Sequence, residues 1–395
     1  MAQEKMQREK LIRITTVPIS LDKLLEGQLD FMKDYFEVIA VSSQEEELKR
    51  VARKQGVPYF FLEMTRKITP LQDLKAVYKL YIFLKKEKPV IVHTHTPKAG
   101  IVGMLAAKLA GVPLRLHTVA GLPLLEATGA KRKLLDIVEK LTYRFATKVY
   151  PNAQGLKTIV EELKFVESSK LKVIGKGSSN GIDTTYFSKD SLVNNSLDVS
   201  DELKIAVSDF TFILVGRLVG DKGVNELVKA FVTVQQKHPE TSLLLVGPLE
   251  EELDPLLQTT QDIIKKHPKI YTTGYVDDVR PYLAFAKALT FPSYREGFPN
   301  VVLQAGAMGL PSIVSDINGC NEIIVNNLNG LIIPVKSSAA LEIAMYKLIE
   351  DKDFYSHTQA NARAIITSSY ERKEIWQALL QEYNTLLATL KGNKN

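Results

Sequence analysis

Cysteine is almost absent. The chain holds one, Cys320, which excludes a disulfide framework and any cysteine-rich metal site and suits a reducing compartment. Long apolar runs are missing too. The longest, Ala99–Ala110, is interrupted by Lys108 and is too short to span a bilayer. The Met1–Lys10 segment is charged and has no apolar centre, so no secretory leader is expected and a cytoplasmic location is.

What is present is the composition of a folded globular protein, 45% apolar and 24% charged. At 395 residues there is room for two domains of ordinary size. Charge is divided unevenly: residues 1–175 hold 30 Lys and Arg against 19 Asp and Glu, and the remainder holds 21 against 26. A basic first half beside an acidic second half implies different partners for each. Surface lysines serving solubility are the plainer reading of the same imbalance.

Strands are expected at Leu11–Val17, Val38–Ser42, Pro89–His93, Leu114–Thr118 and Lys148–Pro151. Between them the spacing predicts helices at Leu21–Phe36, Gln44–Gln55, Leu71–Lys86, Lys98–Leu109 and Lys131–Ala146, with Leu74, Val77, Tyr78 and Tyr81 sharing one face of the third. The second half repeats the alternation through strands at Phe212–Gly216, Ser242–Gly247, Ile270–Thr273, Ala288–Phe291 and Ser312–Ser315. Nearly continuous apolar strands alternating with helices describe parallel sheets covered on both faces. The expected fold is therefore α/β, with two doubly wound, Rossmann-like domains at 1–175 and 205–370. Residues 176–204, rich in Ser, Asn, Gly and Asp, read as the linker. The helical stretch in 371–395 is long enough to pack back on the first domain.

Two stretches carry chemistry. In the first, Ala288–Phe291 reads as a buried strand, Glu296-Gly297 as a tight turn, and Pro299 as the first residue of a helix. Strand, glycine turn and helix start present free backbone N–H groups at a positive dipole end, which suits phosphate. Glu296 at the lip suits sugar hydroxyls. In the second, Arg217 and Lys222 sit in a loop at the carboxyl end of a strand, where open α/β sheets bind ligands. A guanidinium fork and an ammonium point charge together fit a diphosphate.

Other motifs carry less. Gly177-Ser178-Ser179-Asn180-Gly181 has the G-x-S-x-G form, and Gly175-x-Gly177 begins a dinucleotide fingerprint, yet no helix is expected after either. Asp277-Asp278 reads as a helix cap before a metal site. His93 and His95 alternate at a strand end and are candidates for lining a cleft. His238 and His267 each precede proline and read as surface loops, and His357 has no assigned role.

These residues resemble the retaining GT-B glycosyltransferases of family 4. The resemblance runs through Gly216-Arg217, Lys222-Gly223, Ser293–Ala305, Asn180-Gly181-Ile182-Asp183 with Phe187, and Val92–Gly100 with Gly111-Val112-Pro113. It covers nearly the whole chain. Within the family it is most similar to enzymes that build capsular, exopolysaccharide or lipopolysaccharide O-antigen repeats on a polyprenyl diphosphate carrier. The resemblance implies two Rossmann-like domains facing across a cleft, and an enzyme moving a hexosyl or N-acetylhexosaminyl group from a nucleotide-sugar, with UDP the expected nucleotide. It implies that Arg217 and Lys222 bind the donor diphosphate and that Glu296 holds donor sugar hydroxyls. The backbone at Gly297, Phe298 and Asn300 would approach sugar and phosphate, Tyr275 and Val276 would border the base, and His117 would face the sugar as a catalytic group. It implies no cofactor and no metal.

One position departs from the family pattern. A second glutamate, eight residues after the first, usually holds the ribose, and here Gln304 stands there. An amide still donates to and accepts from hydroxyls but carries no charge. The second hypothesis is accordingly a non-catalytic nucleotide-sugar-binding subunit. A GT-B-like epimerase or phosphorylase is the third, without a sequence signature of its own.

Residues 96–150 carry nine Lys and Arg against three Asp and Glu. Lys131, Arg132 and Lys133 lie on one helix, beside an apolar lip of Leu122, Leu124 and Leu125. That suits an anionic membrane surface and a lipid-linked acceptor, with the protein on the inner face of the cytoplasmic membrane. No nucleic-acid module or aromatic stacking platform accompanies the charge.

Overall fold

A computed structural model describes residues 8–192, 198–250, 252 and 254–392. The Met1–Gln7 part of the N-terminal segment and residues 193–197 of the expected linker lie outside the described residues. The chain divides into two compact units, Met1–Asn180 with Lys373–Asn395, and Gly181–Arg372.

The first unit runs β1 (Lys10–Ile14), α1 (Gln28–Met32), β2 (Glu37–Ser42), α2 (Glu45–Lys54), β3 (Tyr59–Phe61), α3 (Pro70–Glu87), β4 (Ile91–His95), α4 (Pro97–Ala110), β5 (Leu114–Val119), α5 (Gly129–Phe145), β6 (Lys148–Pro151) and α6 (Gln154–Glu162). Its six parallel strands are ordered β3-β2-β1-β4-β5-β6. The second unit runs α7 (Val199–Leu203), β7 (Phe210–Val215), α8 (Val224–Lys237), β8 (Thr241–Val246), α9 (Gln258–Lys266), β9 (Ile270–Gly274), α10 (Arg280–Phe285), β10 (Ala288–Phe291), α11 (Asn300–Ala307), β11 (Ser312–Ser315), α12 (Cys320–Ile323), β12 (Gly330–Ile333), α13 (Ser338–Glu350) and α14 (Lys352–Ser369). Its strands are ordered β12-β11-β10-β7-β8-β9, the same winding over again. Each sheet reverses its winding between its first and fourth strands, the topological switch point of a doubly wound sheet.

Several local expectations are corrected. The single helix expected over Leu21–Phe36 is broken: a π turn at Ser20–Leu24 ends before Gly27, whose φ of 73° stops it, and α1 starts afterwards. Trp376 covers Gly27 so closely that a Cβ there would meet its Cη2 at 2.9 Å. In α3 the buried positions are Ala76, Val77, Leu80 and Leu84, whereas Leu74 and Tyr78 face water. Within the expected linker, 176–204, the division between the units falls between Asn180 and Gly181, and Ile182 bridges to Glu371 within the second.

A last helix, α15 (Arg372–Gly392), lays Leu379, Leu380, Tyr383 and Leu387 into the core of the first unit. Under it lies a polar chain. Arg13 is fully buried and donates to Tyr383 Oη (2.8 Å), Gln28 Oε1 (2.5 Å) and His95 Nε2 (2.7 Å). Tyr383 keeps its own proton for His93 Nδ1 at 2.6 Å, and His93 Nε2 donates to Thr118 Oγ1 at 2.7 Å.

Burial and the Arg13 charge hold His93 and His95 well below the usual imidazole range, and burial takes His117 down to about 3. Burial also raises the Glu139 carboxyl to about 7. A depressed histidine stabilises the fold above its unfolded pKa and withdraws that support as pH falls below roughly 6.5. Glu139 opposes this, because its folded carboxyl already holds a proton below about 7. Below a pH of about 6.5 the three depressed histidines outnumber the one raised carboxyl, so stability should fall as pH falls. Urea melts at pH 7 and pH 5.5 measure this, and Glu139→Gln should steepen the slope. A flat profile over that interval would contradict the assignment.

Candidate active site

The strands β7 and β10 pair in parallel, Phe212 beside Ala288 and Ile213 beside Leu289. Their carboxyl ends therefore open at the switch point of the second sheet, and both chemical stretches emerge there. After β7 the chain passes Gly216-Arg217, makes a 3-10 turn at Gly220–Lys222 and enters α8 through Gly223, at φ 70°. After β10 it passes Pro292–Pro299 and enters α11.

The two loops are stitched together. The Tyr294 N–H donates to Asp221 O at 2.8 Å, and the Arg295 guanidinium pairs with the Asp221 carboxylate at 2.9 Å. Lys222 forms an ion pair with Glu296, and both side chains are mostly buried, at 18% and 16% exposed. The Ser293 hydroxyl donates to Glu296 Oε1 at 2.9 Å, and Lys222 Nζ lies 5.5 Å above the Phe291 ring. Arg217 is the looser cation. Its side chain is 49% exposed and pairs with Glu250, on the loop after β8. That loop also supports the Lys222 turn, since the Asp221 N–H donates to Asp254 Oδ2 at 2.5 Å and the Gly220 N–H to Asp254 O at 3.1 Å.

Beneath Glu296 the floor is built by residues that the motif did not include. Asn318 Nδ2 donates to the carbonyls of Glu296 and Gly297. Gly319, at φ 77°, lies so close that a Cβ would meet Phe298 Cα at 2.9 Å. Phe298 turns its ring inward, 5.4 Å from Tyr370, so only its backbone faces the site. Pro299 is the cap of α11, with an extended ψ of 110°, and Asn300 is the first helical residue, which corrects the expected start. Gln304 is half-buried one turn further along. The only sequence signals for Asn318, Gly319, Glu250 and Asp254 were an Asn-Gly pair and loop acids, too common to single out.

Other expected residues fall elsewhere. Tyr275, 65% exposed, and Val276 follow β9 at the sheet edge, and among the described residues no hydrogen bond or ring contact ties them to the ion pair. His117 is only 2% exposed. Its ring contacts Thr94 at 2.8 Å, and a Cβ at Gly100 would reach it at 2.6 Å. It is enclosed between β5 and α4. His93 and His95 are buried beneath α15 and line a cavity of about 20 Å³ with Ile375 and Leu379, room for one water. His238 and His267 are helix C-caps, and His238 pairs with Glu350 at 2.9 Å. Asp278 lies one residue ahead of Val279, the cap of α10, and accepts from the Arg280 N–H at 3.0 Å and from its guanidinium. Gly175, Gly177 and Ser178 all have positive φ and lead into no helix.

On α5, Lys131 and Lys133 are exposed, but Arg132 is tied to Asp136 (2.8 Å) and to Leu124 O (3.1 Å). The expected apolar lip is also corrected: Leu122 and Leu124 belong to the core, and the exposed residues are Leu134, Ile137 and Leu141. Among the described residues no helix is long and apolar enough to cross a membrane.

Two identically wound sheets, with a paired lysine and glutamate at the switch point of the second, define a GT-B glycosyltransferase. Residues 33–177 match the family description "Glycosyl transferase 4-like domain" and residues 209–351 match "Glycosyl transferases group 1". The chain belongs to the family 4 GT-B glycosyltransferases. It is 32% identical over 388 residues to the capsular polysaccharide biosynthesis glycosyltransferase CapM of Staphylococcus aureus, covering 98% of this chain and all of that one. It is 32% identical over 304 residues to the Escherichia coli UDP-Gal:alpha-D-GlcNAc-diphosphoundecaprenol alpha-1,3-galactosyltransferase, covering 74% and 75% respectively. In fold it is similar to Anabaena HepE in complex with UDP-glucose, at a TM-score of 0.80 and 19% identity, covering 96% of this chain and all of that one.

Proposed function

We propose that this enzyme transfers a hexosyl or N-acetylhexosaminyl group, with retention, from a UDP-sugar to a polyprenyl-diphosphate-linked saccharide in cell-surface polysaccharide synthesis. The observation that carries the reading is the Lys222–Glu296 pair, held by Ser293 at the carboxyl ends of two adjacent strands. A donor diphosphate entering there exchanges places with the Glu296 carboxylate as the partner of Lys222. Glu296, released, accepts hydroxyls of the sugar. Arg217 swings from Glu250 to the outer phosphate.

The bond that breaks joins the anomeric carbon to the diphosphate oxygen. As it lengthens, positive charge grows on the sugar and negative charge on the leaving group, and fixed cations stabilise that separation. The acceptor hydroxyl attacks from the same face, and the departing phosphate takes its proton. Lys222, Arg217 and the N–H groups at the start of α11 supply this neutralisation without a metal. Gln304 donates to and accepts from ribose hydroxyls. The acceptor is a membrane lipid, and exposed Lys131 and Lys133, with Leu134, Ile137 and Leu141, suit peripheral contact with an anionic inner leaflet.

The relatives' names support this reading. One is a capsular polysaccharide enzyme, and another uses UDP-galactose and an undecaprenyl-diphosphate-linked acceptor. The test is thermal shift and donor hydrolysis over UDP-, GDP-, dTDP- and ADP-sugars. One UDP-sugar should stabilise the wild type, with slow hydrolysis lost in Glu296→Ala. No shift with any nucleotide would sink the proposal. If only Gln304→Glu turns over once lipid-linked acceptor is added, the natural chain is a binding subunit.

A further inference from the structure

The helix α3 carries a second unpartnered apolar face. Leu71, Leu74, Tyr78 and Ile82 are 78%, 62%, 65% and 49% exposed. Their spacing of three and four residues places them in one stripe, about 17 Å long. The opposite side of the helix is satisfied, because Ala76, Val77, Leu80 and Leu84 are buried. Large side chains of this kind normally face the core, and a continuous exposed row marks a contact surface.

The charge around the stripe says what covers it. Lys75, Lys79 and Lys86 run along one flank, Lys85 closes the far end, and all four are exposed. Arg66 and Lys67, also exposed, lie just ahead of the helix. The two acids on α3 are neutralised within the unit: Asp73 by Lys98 at 2.5 Å and Glu87 by Lys10 at 2.6 Å. The face is thus apolar along its crest and cationic beside it. A second copy of this chain would set lysines against lysines, so self-association through this face is disfavoured. Lysine stems lying along the apolar stripe, with ammonium groups at phosphate level and a tyrosine at the interface, match the headgroup region of an anionic bilayer.

We infer that α3 is a membrane-docking face of this protein, which inserts Leu71, Leu74, Tyr78 and Ile82 among anionic lipid headgroups. The inference deepens the membrane-facing part of the function proposed above and adds a contact that the basic cluster on α5 does not include. Both α3 and α5 pack against α4, so one helix layer carries the two faces.

The experiment is flotation of the full chain with vesicles of mixed phosphatidylglycerol and phosphatidylcholine, and with phosphatidylcholine alone, in the absence of nucleotide. Wild type is expected to float with the mixed vesicles only. The double variant Leu74→Ser/Tyr78→Ser should partition about tenfold more weakly, and Lys75→Glu/Lys79→Glu should do the same. All four positions are exposed, so melting temperature and vesicle-free donor hydrolysis should match wild type. Unchanged flotation of both variants, with loss only in Lys131→Glu/Lys133→Glu, would overturn the inference in favour of α5 alone. A wild-type dimer in sedimentation velocity that Leu74→Ser dissolves would overturn it in favour of a self-interface. Absence of wild-type flotation would overturn it as well, while donor hydrolysis, measured separately, would still stand or fall with the transferase reading.

Discussion

Lys222→Ala is expected to lower kcat for transfer by about 100- to 1,000-fold, the usual loss on removing one preorganised group that meets developing negative charge. The magnitude follows from how the side chain is held. Lys222 is largely withdrawn from water, lies over the Phe291 ring and is paired with Glu296. A cation in that setting is poorly screened and already oriented when the diphosphate begins to leave. Arg217→Ala should cost less, because its guanidinium is half-exposed and solvent screens it. The fold should survive Lys222→Ala, since Ser293 still donates to Glu296. Steady-state rates with a saturating UDP-sugar give the answer. A kcat within threefold of wild type would remove Lys222 from the diphosphate site.

Gly223→Ala should be the most damaging small substitution near the site. Gly223 has φ 70°, a left-handed conformation that costs a side-chain-bearing residue roughly 1–2 kcal/mol. Its new Cβ would also overlap the Pro292 carbonyl, with the carbonyl carbon at 2.9 Å and Pro292 Cγ at 3.0 Å. Relief requires the Pro292–Glu296 loop to move away from the Lys222 turn, which separates the ion pair. The expected result is a fall of roughly 5–10 °C in melting temperature, together with loss of the donor-induced thermal shift. Gly309→Ala is the control: its φ is 80°, but a Cβ there meets nothing within 4 Å. Equal losses for the two variants would show that the overlap is relieved without consequence.

The residues proposed for the donor site were legible because they sit in contiguous motifs. Glycine turns, a proline at a helix start and two cations after an apolar strand are local signals. Local signals failed where packing decides. The periodicity of α3 put Leu74, Val77, Tyr78 and Tyr81 on one face, whereas the structure buries Val77 with Ala76, Leu80 and Leu84 and leaves Leu74 and Tyr78 facing water. Leu122 and Leu124 read as a surface lip and are core. His117, placed by resemblance, is enclosed within the sheet and helix layer, which no sequence spacing reports. Gly27 broke a helix that looked continuous, since a single glycine signals a stop only when tertiary contacts, here Trp376, hold its left-handed backbone.

The sequence by itself determined the alternation of strands and helices, its repetition in the second half, and the charge types available for binding a diphosphate and a sugar. All of these depend on residue order over short distances, where apolar period and turn chemistry act. Only the tertiary structure decided that β7 and β10, with β8 and β9 between them in sequence, lie side by side. That adjacency brings Lys222 against Glu296 across 74 residues and places Asn318 and Gly319 beneath them. Strand order is set by which apolar faces bury one another best across the whole sheet, and no local stretch of chain carries that information.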